Sequence, residues 1–410
     1  MSTFSSKPVT AENRFIKHKP EMLQSIYGST EVFPYWVADM DFQVAAPITE
    51  TLNGLTARGV YAYEFNESGV FTAIANWYQQ RHQLKLSTDK FVQAPGVLSA
   101  LAILLRQFTQ EGDAVLIHTP AYHQFANLIT KAQRKVVRSE LHNDGEQYLI
   151  DFTDVEQQIK QNRVKAMIVC NPHNPTGRVW RAAELTELIA IAKRHNVMII
   201  SDEIHADIIY SGHKFTSMAS FDYDNMITLL GSPAKTFGMH SIANGYIYTA
   251  NETLHAAIKA NIGAMYLDHG NALSTFATIT AYEKGGEWLD GLLDYLQQTL
   301  DWMSDYIETH LPQVKMFRPQ GTYQVWFDFS GLSLEEAQLN QLLFEHAKMG
   351  LTPGSWFGMQ DYNFLRMNIA TSQDNIGKSL ALLAEAVKQL AAGTLCLSAP
   401  SACANPHSCC

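Results

Sequence analysis

No run of about eighteen uncharged apolar residues occurs anywhere in the 410-residue chain, which removes a membrane-spanning helix from the reading. The opening MSTFSSKPVTAENRF lacks the apolar segment of a secretory leader, so the expected location is the cytoplasm. Positive charge is also scarce: 30 Lys and Arg face 40 Asp and Glu, giving a formal net charge of -10 with no concentrated basic stripe. Nucleic-acid binding needs such a stripe to neutralise phosphates, and a small-molecule partner is expected instead. Cysteine is nearly missing from the body of the chain, where Cys170 stands alone, so no disulfide framework holds the core. The other four, Cys396, Cys403, Cys409 and Cys410, crowd a C-terminal GTLCLSAPSACANPHSCC without apolar periodicity, which reads as a disordered tail over 393–410. No Cys-x-x-Cys pair occurs there and no metal site is expected; His407 stands where a prenylation box needs cysteine.

What the chain does contain is enough apolar sequence for a large core, 46% of residues against 17% charged. Between residues 40 and 390 there is no internal repeat and no Pro-, Gly- or Ser-rich linker. Helical and short apolar segments alternate instead: SALAILLRQFTQEGDA, AVLIH, KVVRSEL, KAMIVC, RAAELTELIAIAKRHN, VMIISDE, NMITLLG and GYIYTA. That alternation predicts an α/β fold with a mostly parallel central sheet flanked by helices. Beyond residue 284 the pattern changes to one long helix, GEWLDGLLDYLQQTLDWMSDYIETHLP, followed by a strand, TYQVWFDF, and more helix, which predicts a smaller α+β domain. The expected division is an arm over 1–40 contributing to the small domain, a large domain over 41–284 and a small one over 285–392.

Ligands of open α/β sheets bind beyond the carboxyl ends of strands, so the residues just after each apolar run matter most. AVLIH is followed by Thr119-Pro120-Ala121-Tyr122 and KAMIVC by Asn171-Pro172-His173-Asn174; VMIIS ends in Asp202-Glu203 and NMITLLG in Ser232-Pro233-Ala234-Lys235. Taken singly, Lys235 could decorate a surface, Asp202 could cap a helix and Tyr122 could belong to the core. Together they match what pyridoxal phosphate requires. A lysine amine holds the aldehyde as a Schiff base, an acid keeps the pyridine nitrogen protonated, and the ring then accepts the electrons of a carbanion. Asn174 can donate to the ring phenolate and Tyr122 can lie over the ring face. For the phosphate, QAPGVLSALAILL places a Gly-containing turn at a helix start, so the backbone of Gly96, Val97 and Leu98 is the expected cradle, with the Ser232 hydroxyl added.

At these residues the sequence resembles the fold-type I pyridoxal-phosphate enzymes, and within them the MalY/PatB family of carbon-sulfur β-lyases. The resemblance runs from YWVADMDF to LRMNIATS through IHTPAYHQF, NPHNPTGRVW, SDEIHADII, SPAKTFGM and LTPGSWFG. It implies Lys235 as the Schiff-base lysine, Asp202 at the pyridine nitrogen, Asn174 at the phenolate and Tyr122 on the ring. It further implies Arg366 at the substrate α-carboxylate, and Tyr63 reaching the cofactor phosphate of a neighbouring subunit in a homodimer. Tyr61 or a plain core aromatic are the alternatives for Tyr63. His205 lies on the same side of the strand as Glu203 if the strand continues, either toward the cofactor pocket or as a satisfied core histidine.

The chain departs from the aminotransferase pattern at Ala243, eight residues past the lysine, where many relatives carry a phosphate-binding arginine. From the lyase family it departs at Gly238, where Asn is usual, and at Ala234, where Ser is frequent. The implied activity is β-elimination from L-cystathionine or a related L-cysteine S-conjugate to a thiol, pyruvate and ammonia. An aminotransferase is the alternative within enzymes, and a cofactor-loaded regulatory protein the alternative outside them. Asp39 or Asp41 could receive a cationic distal group of the substrate, or could cap a turn.

Overall fold

The computed structural model describes residues 4–8, 14–221, 223 and 226–397. Seven strands form the principal sheet: β1 (Phe91–Ala94), β2 (Ala114–Thr119), β3 (Lys135–Glu140), β4 (Val164–Cys170), β5 (Met198–Asp202), β6 (Ile227–Gly231) and β7 (Gly245–Tyr248). Their order is β1-β7-β6-β5-β4-β2-β3. The β6-β5-β4-β2-β3 pairs are parallel, and only β7 runs antiparallel to its two neighbours.

Strand alternation explains how the sheet feeds a core on each face. Ala114 and Leu116 of β2 and Met167 and Val169 of β4 join one cluster, with Leu185, Leu188 and Ala192 of the helix Ala182–His195. Val115, Ile117, Ala166 and Ile168 point the other way, toward Leu101, Leu104 and Leu105 of the helix Val97–Phe108. The near-continuous apolar runs are those of strands covered on both faces.

A second sheet has the order β8-β9-β11-β10, all antiparallel: β8 (Lys315–Phe317), β9 (Gln324–Asp328), β10 (Thr352–Pro353) and β11 (Phe364–Asn368). The long helix expected after residue 284 is Gly286–His310, which buries Leu289, Leu292, Leu296, Leu300, Met303 and Ile307 along one stripe. The N-terminal segment returns to this region: Phe33–Pro34 pairs in parallel with Met349–Gly350, and Phe4 packs against Phe42, Trp288 and Tyr295.

Within the tail expected over 393–410, Leu395 and Leu397 pack against the core, and Cys396 is exposed with no disulfide partner among the described residues. Cys403, His407, Cys409 and Cys410 lie outside the described residues. Among the described residues no helix is long and apolar enough to cross a membrane.

Candidate active site

A cavity of about 320 Å³ opens at the carboxyl ends of the parallel strands. It is lined by eight residues named from sequence: Gly96, Val97, Leu98, Tyr122, Asn174, Asp202, Ser232 and Lys235. They come from the ends of five strands, with Gly96, Val97 and Leu98 following β1. Tyr122 precedes the helix His123–Lys131 just beyond β2, Asn174 lies past β4, Asp202 ends β5, and Ser232 and Lys235 follow β6.

Lys235 stands on a four-residue helix, Ala234–Phe237, rather than on an open loop. That helix ends at Gly238 with φ +71°, a left-handed conformation that Gly adopts freely and Asn tolerates best among other residues. The exchange of Asn for Gly at this position is thereby explained as a shared capping geometry. The Lys235 amine donates to the Ala38 carbonyl. Burial pushes its pKa down to about 8; Asp39 opposes that shift, Arg366 adds to it and Asp202 opposes it.

Asp202 is raised to about 6, chiefly by burial, against the Ile204 N–H that it accepts at 3.1 Å and the charge of Lys235. A carboxylate desolvated to this extent gains from a cationic N–H placed against it. Asn174 accepts from Arg366 Nη1 at 3.0 Å through Oδ1, so its amide N–H groups are left to donate to a phenolate oxygen. The helix Val97–Phe108 has no side-chain cap, and a Cβ added at Gly96 would meet nothing within 4 Å. These first amides form an open cradle for an anion. Gly245 of β7 lets the cradle approach, because a Cβ there would lie 2.7 Å from Gly96 C and 2.8 Å from Val97 N. The donor set therefore fits a pyridine ring with a phosphate, a phenolate and an aldehyde.

Ser232 donates to Asn244 O at 2.8 Å and accepts from Ala234 N at 3.2 Å. Its proton is thus committed to the chain, and it would have to turn to serve the anion. Ala243 lines the cavity, and among the described lining residues Lys235 is the one lysine or arginine.

Arg366 is not a surface residue. It is 4% exposed, lies 4.9 Å over the Phe357 ring, and donates through Nη2 to Trp36 O at 2.7 Å. Its buried Nε–H has no partner among the described residues, so donor capacity remains beside Asn174. Burial lowers its pKa to about 10, which still leaves it cationic near neutrality.

Two expectations change, and the one for Tyr63 is narrowed to an exposed residue. The strand does not continue to His205: β5 stops at Asp202, Glu203 turns to Ser201, Ser217 and Met218 N, and His205 lines the cavity, its Nδ1 without a hydrogen-bond partner among the described residues. Asp39 and Asp41 do not await a substrate cation, because the buried Lys17 ammonium lies 3.3 Å from one and 2.9 Å from the other. Tyr63 is absent from this chain's cavity and is 96% exposed. The residues missed in sequence are Ala38, His240 and Tyr323. His240 lines the cavity and Tyr323 shares the Ala38 carbonyl with Lys235, and no local pattern announces either.

Residues 68–382 match the family model "Aminotransferase class I and II". Cystathionine beta-lyase PatB of Bacillus subtilis (strain 168) is 34% identical over 364 residues, covering 87% of this chain and 94% of that protein. Protein MalY of Escherichia coli (strain K12) is 31% identical over 367 residues, covering 88% and 93%. Among solved structures, cystalysin from Treponema denticola, which contains a pyridoxal 5'-phosphate cofactor, aligns with a TM-score of 0.88 at 28% identity over 94% of this chain and 99% of that one. With the strand-end cavity, these matches show that the chain belongs to the aminotransferase class I and II family.

Proposed function

We propose that the protein is a pyridoxal-phosphate-dependent carbon-sulfur β-lyase acting on L-cystathionine or related L-cysteine S-conjugates. The observation that carries this reading is the meeting of Lys235, Asp202 and Asn174 in one cavity with Arg366 hydrogen-bonded behind it, in a chain 34% identical to a cystathionine β-lyase. Overall, one water is consumed: R–S–CH2–CH(NH3⁺)–COO⁻ + H2O gives R–SH, pyruvate and ammonium.

Bound in the cavity, pyridoxal phosphate supplies an electron sink for the pair left on the substrate α-carbon. Asp202 would hold the pyridine nitrogen protonated and Asn174 would donate to the phenolate. The amides of Val97 and Leu98 would take the phosphate, and Tyr122 would cover the ring. Arg366 would fix the α-carboxylate, which orients the bonds at the α-carbon. Lys235, with its pKa drawn down to about 8 mainly by burial, can take the α-proton at Nζ and return it to the departing sulfur. The expected result is equimolar thiol and pyruvate from L-cystathionine. Stoichiometric conversion of an added keto acid to its amino acid, without thiol, would instead mark an aminotransferase.

The reading extends to a homodimer. Tyr63 stacks on Phe65, Phe65 meets His269, and His269 meets Tyr266, which forms a run of rings along an exposed surface. Val60, Tyr61, Tyr63, Phe65 and Tyr266 are 61%, 70%, 96%, 62% and 80% exposed, an apolar patch that a second copy would cover. Covered in this way, Tyr63 or Tyr61 comes within reach of a partner's phosphate cradle and adds the donor that Ala243 does not provide. Analytical ultracentrifugation should give a species at twice 45.9 kDa. A monomer with full turnover would remove the role given to Tyr63. We place the enzyme in the cytoplasm, in keeping with free Cys170 and Cys396. We divide it into a large unit over 41–284 and a smaller one formed by 285–392 with the 1–40 arm, in keeping with the two sheets.

A further inference from the structure

Four consecutive carbonyls in Trp36-Val37-Ala38-Asp39 are each taken by a side chain from a distant part of the sequence. Trp36 O accepts from Arg366 Nη2 at 2.7 Å, and Val37 O and Asp39 O each accept from Asn368 Nδ2 at 2.6 Å. Ala38 O, between them, accepts from Tyr323 Oη at 3.1 Å and from Lys235 Nζ. Arg366 and Asn368 are two residues apart on β11 and so project from the same face. Tyr323 and Asn368 are fully buried. The two residues before Tyr323 are closely constrained: Thr322 holds φ +69°, and a Cβ at Gly321 would lie 2.8 Å from Ile208 O. His240 Nε2 lies 3.3 Å from the Tyr323 hydroxyl, and the centroids of the His205 and Tyr323 rings are 5.6 Å apart.

The pair of donors on Ala38 O has a functional consequence. The Ala38 backbone is half-buried at the cavity wall, where a carbonyl that loses a donor loses a hydrogen bond, yet the amine on Ala38 O must leave it to bond the cofactor aldehyde. Tyr323 remains as a donor during that absence. When a substrate amine displaces the lysine, the carbonyl is still aimed to receive it.

We propose that the Ala38 carbonyl is the dock of the Lys235 amine whenever that amine is not bonded to the cofactor, and that Tyr323 is the positioning residue that keeps the dock satisfied while the lysine is away. The inference rests on the pyridoxal-phosphate reading of Lys235. Tyr323→Phe removes one oxygen and keeps the buried ring. Ala38 O would then have a donor only when Lys235 sits on it, so the cofactor-bonded form alone is penalised. Diluting the holoenzyme and following cofactor release by absorbance should show a dissociation constant about tenfold above wild type. The same change made in Lys235→Ala should leave cofactor affinity unaltered, because the carbonyl then has no lysine to lose. Equal weakening in both backgrounds, or no weakening beside an intact Lys235, would overturn the dock. Borohydride reduction of the wild-type holoenzyme followed by peptide mass mapping tests the underlying reading separately. Failure to find the phosphopyridoxyl mass on Lys235 would remove that reading itself.

Discussion

Lys235→Ala should lower pyruvate release from L-cystathionine by at least about 10³-fold, the upper part of what a positioned acid-base group contributes. The large effect follows from two tasks resting on one amine, covalent hold on the cofactor and proton transfer at the substrate α-carbon. No neighbour can substitute. Among the described lining residues there is no other lysine, and burial by itself pushes the pKa values of His205 and His240 below the ordinary imidazole range. The variant should still fold, since Ala38 O keeps the Tyr323 hydroxyl as donor. Steady-state pyruvate assays check the result. Turnover within tenfold of wild type would remove Lys235 from the centre of the chemistry.

Asp202→Asn should lower kcat by about 10²–10³-fold, the scale seen when one preorganised electrostatic partner is taken from an active site. The substitution keeps the shape and can still accept the Ile204 N–H, which Asp202 takes at 3.1 Å. What it loses is the negative charge that would keep the pyridine nitrogen protonated, so the electron sink weakens. KM should change much less, because Arg366 and Asn174 remain to hold the substrate and the ring. Full kinetics at fixed pH distinguish the cases. A fall in kcat/KM arising from KM alone would show that Asp202 serves binding instead.

The chain order of the candidate site was legible because an α/β sheet delivers its polar residues at strand ends, each beside the apolar run that announces it. Tyr122, Asn174, Asp202 and Lys235 could be read that way, and all line the cavity. Arg366 and Tyr63 carried no such signal and came from the family resemblance. The structure gives Arg366 its setting through Trp36 and Asn174, 330 and 192 residues away. Tyr323 and Ala38 stayed silent for the same reason: they meet across 285 residues, and neither lies on a periodic face pointing at the other. Asp39 and Asp41 were misread because their partner is a buried cation. Lysine is seldom found fully inside a protein, and nothing near Lys17 in the sequence marks it as an exception.

The carbonyl row from Trp36 to Asp39 also sets limits on how this stretch can vary. Its bonds come from backbone oxygens, so the side chains at 37 and 38 can change without breaking any of them. Its length cannot. One inserted or deleted residue would put the wrong oxygen opposite Arg366, Asn368, Tyr323 and Lys235 at once, displacing the lysine and the arginine by the same slip of frame. The stretch therefore works as a ruler, fixing the spacing between the amine and the guanidinium that the same substrate molecule would have to span.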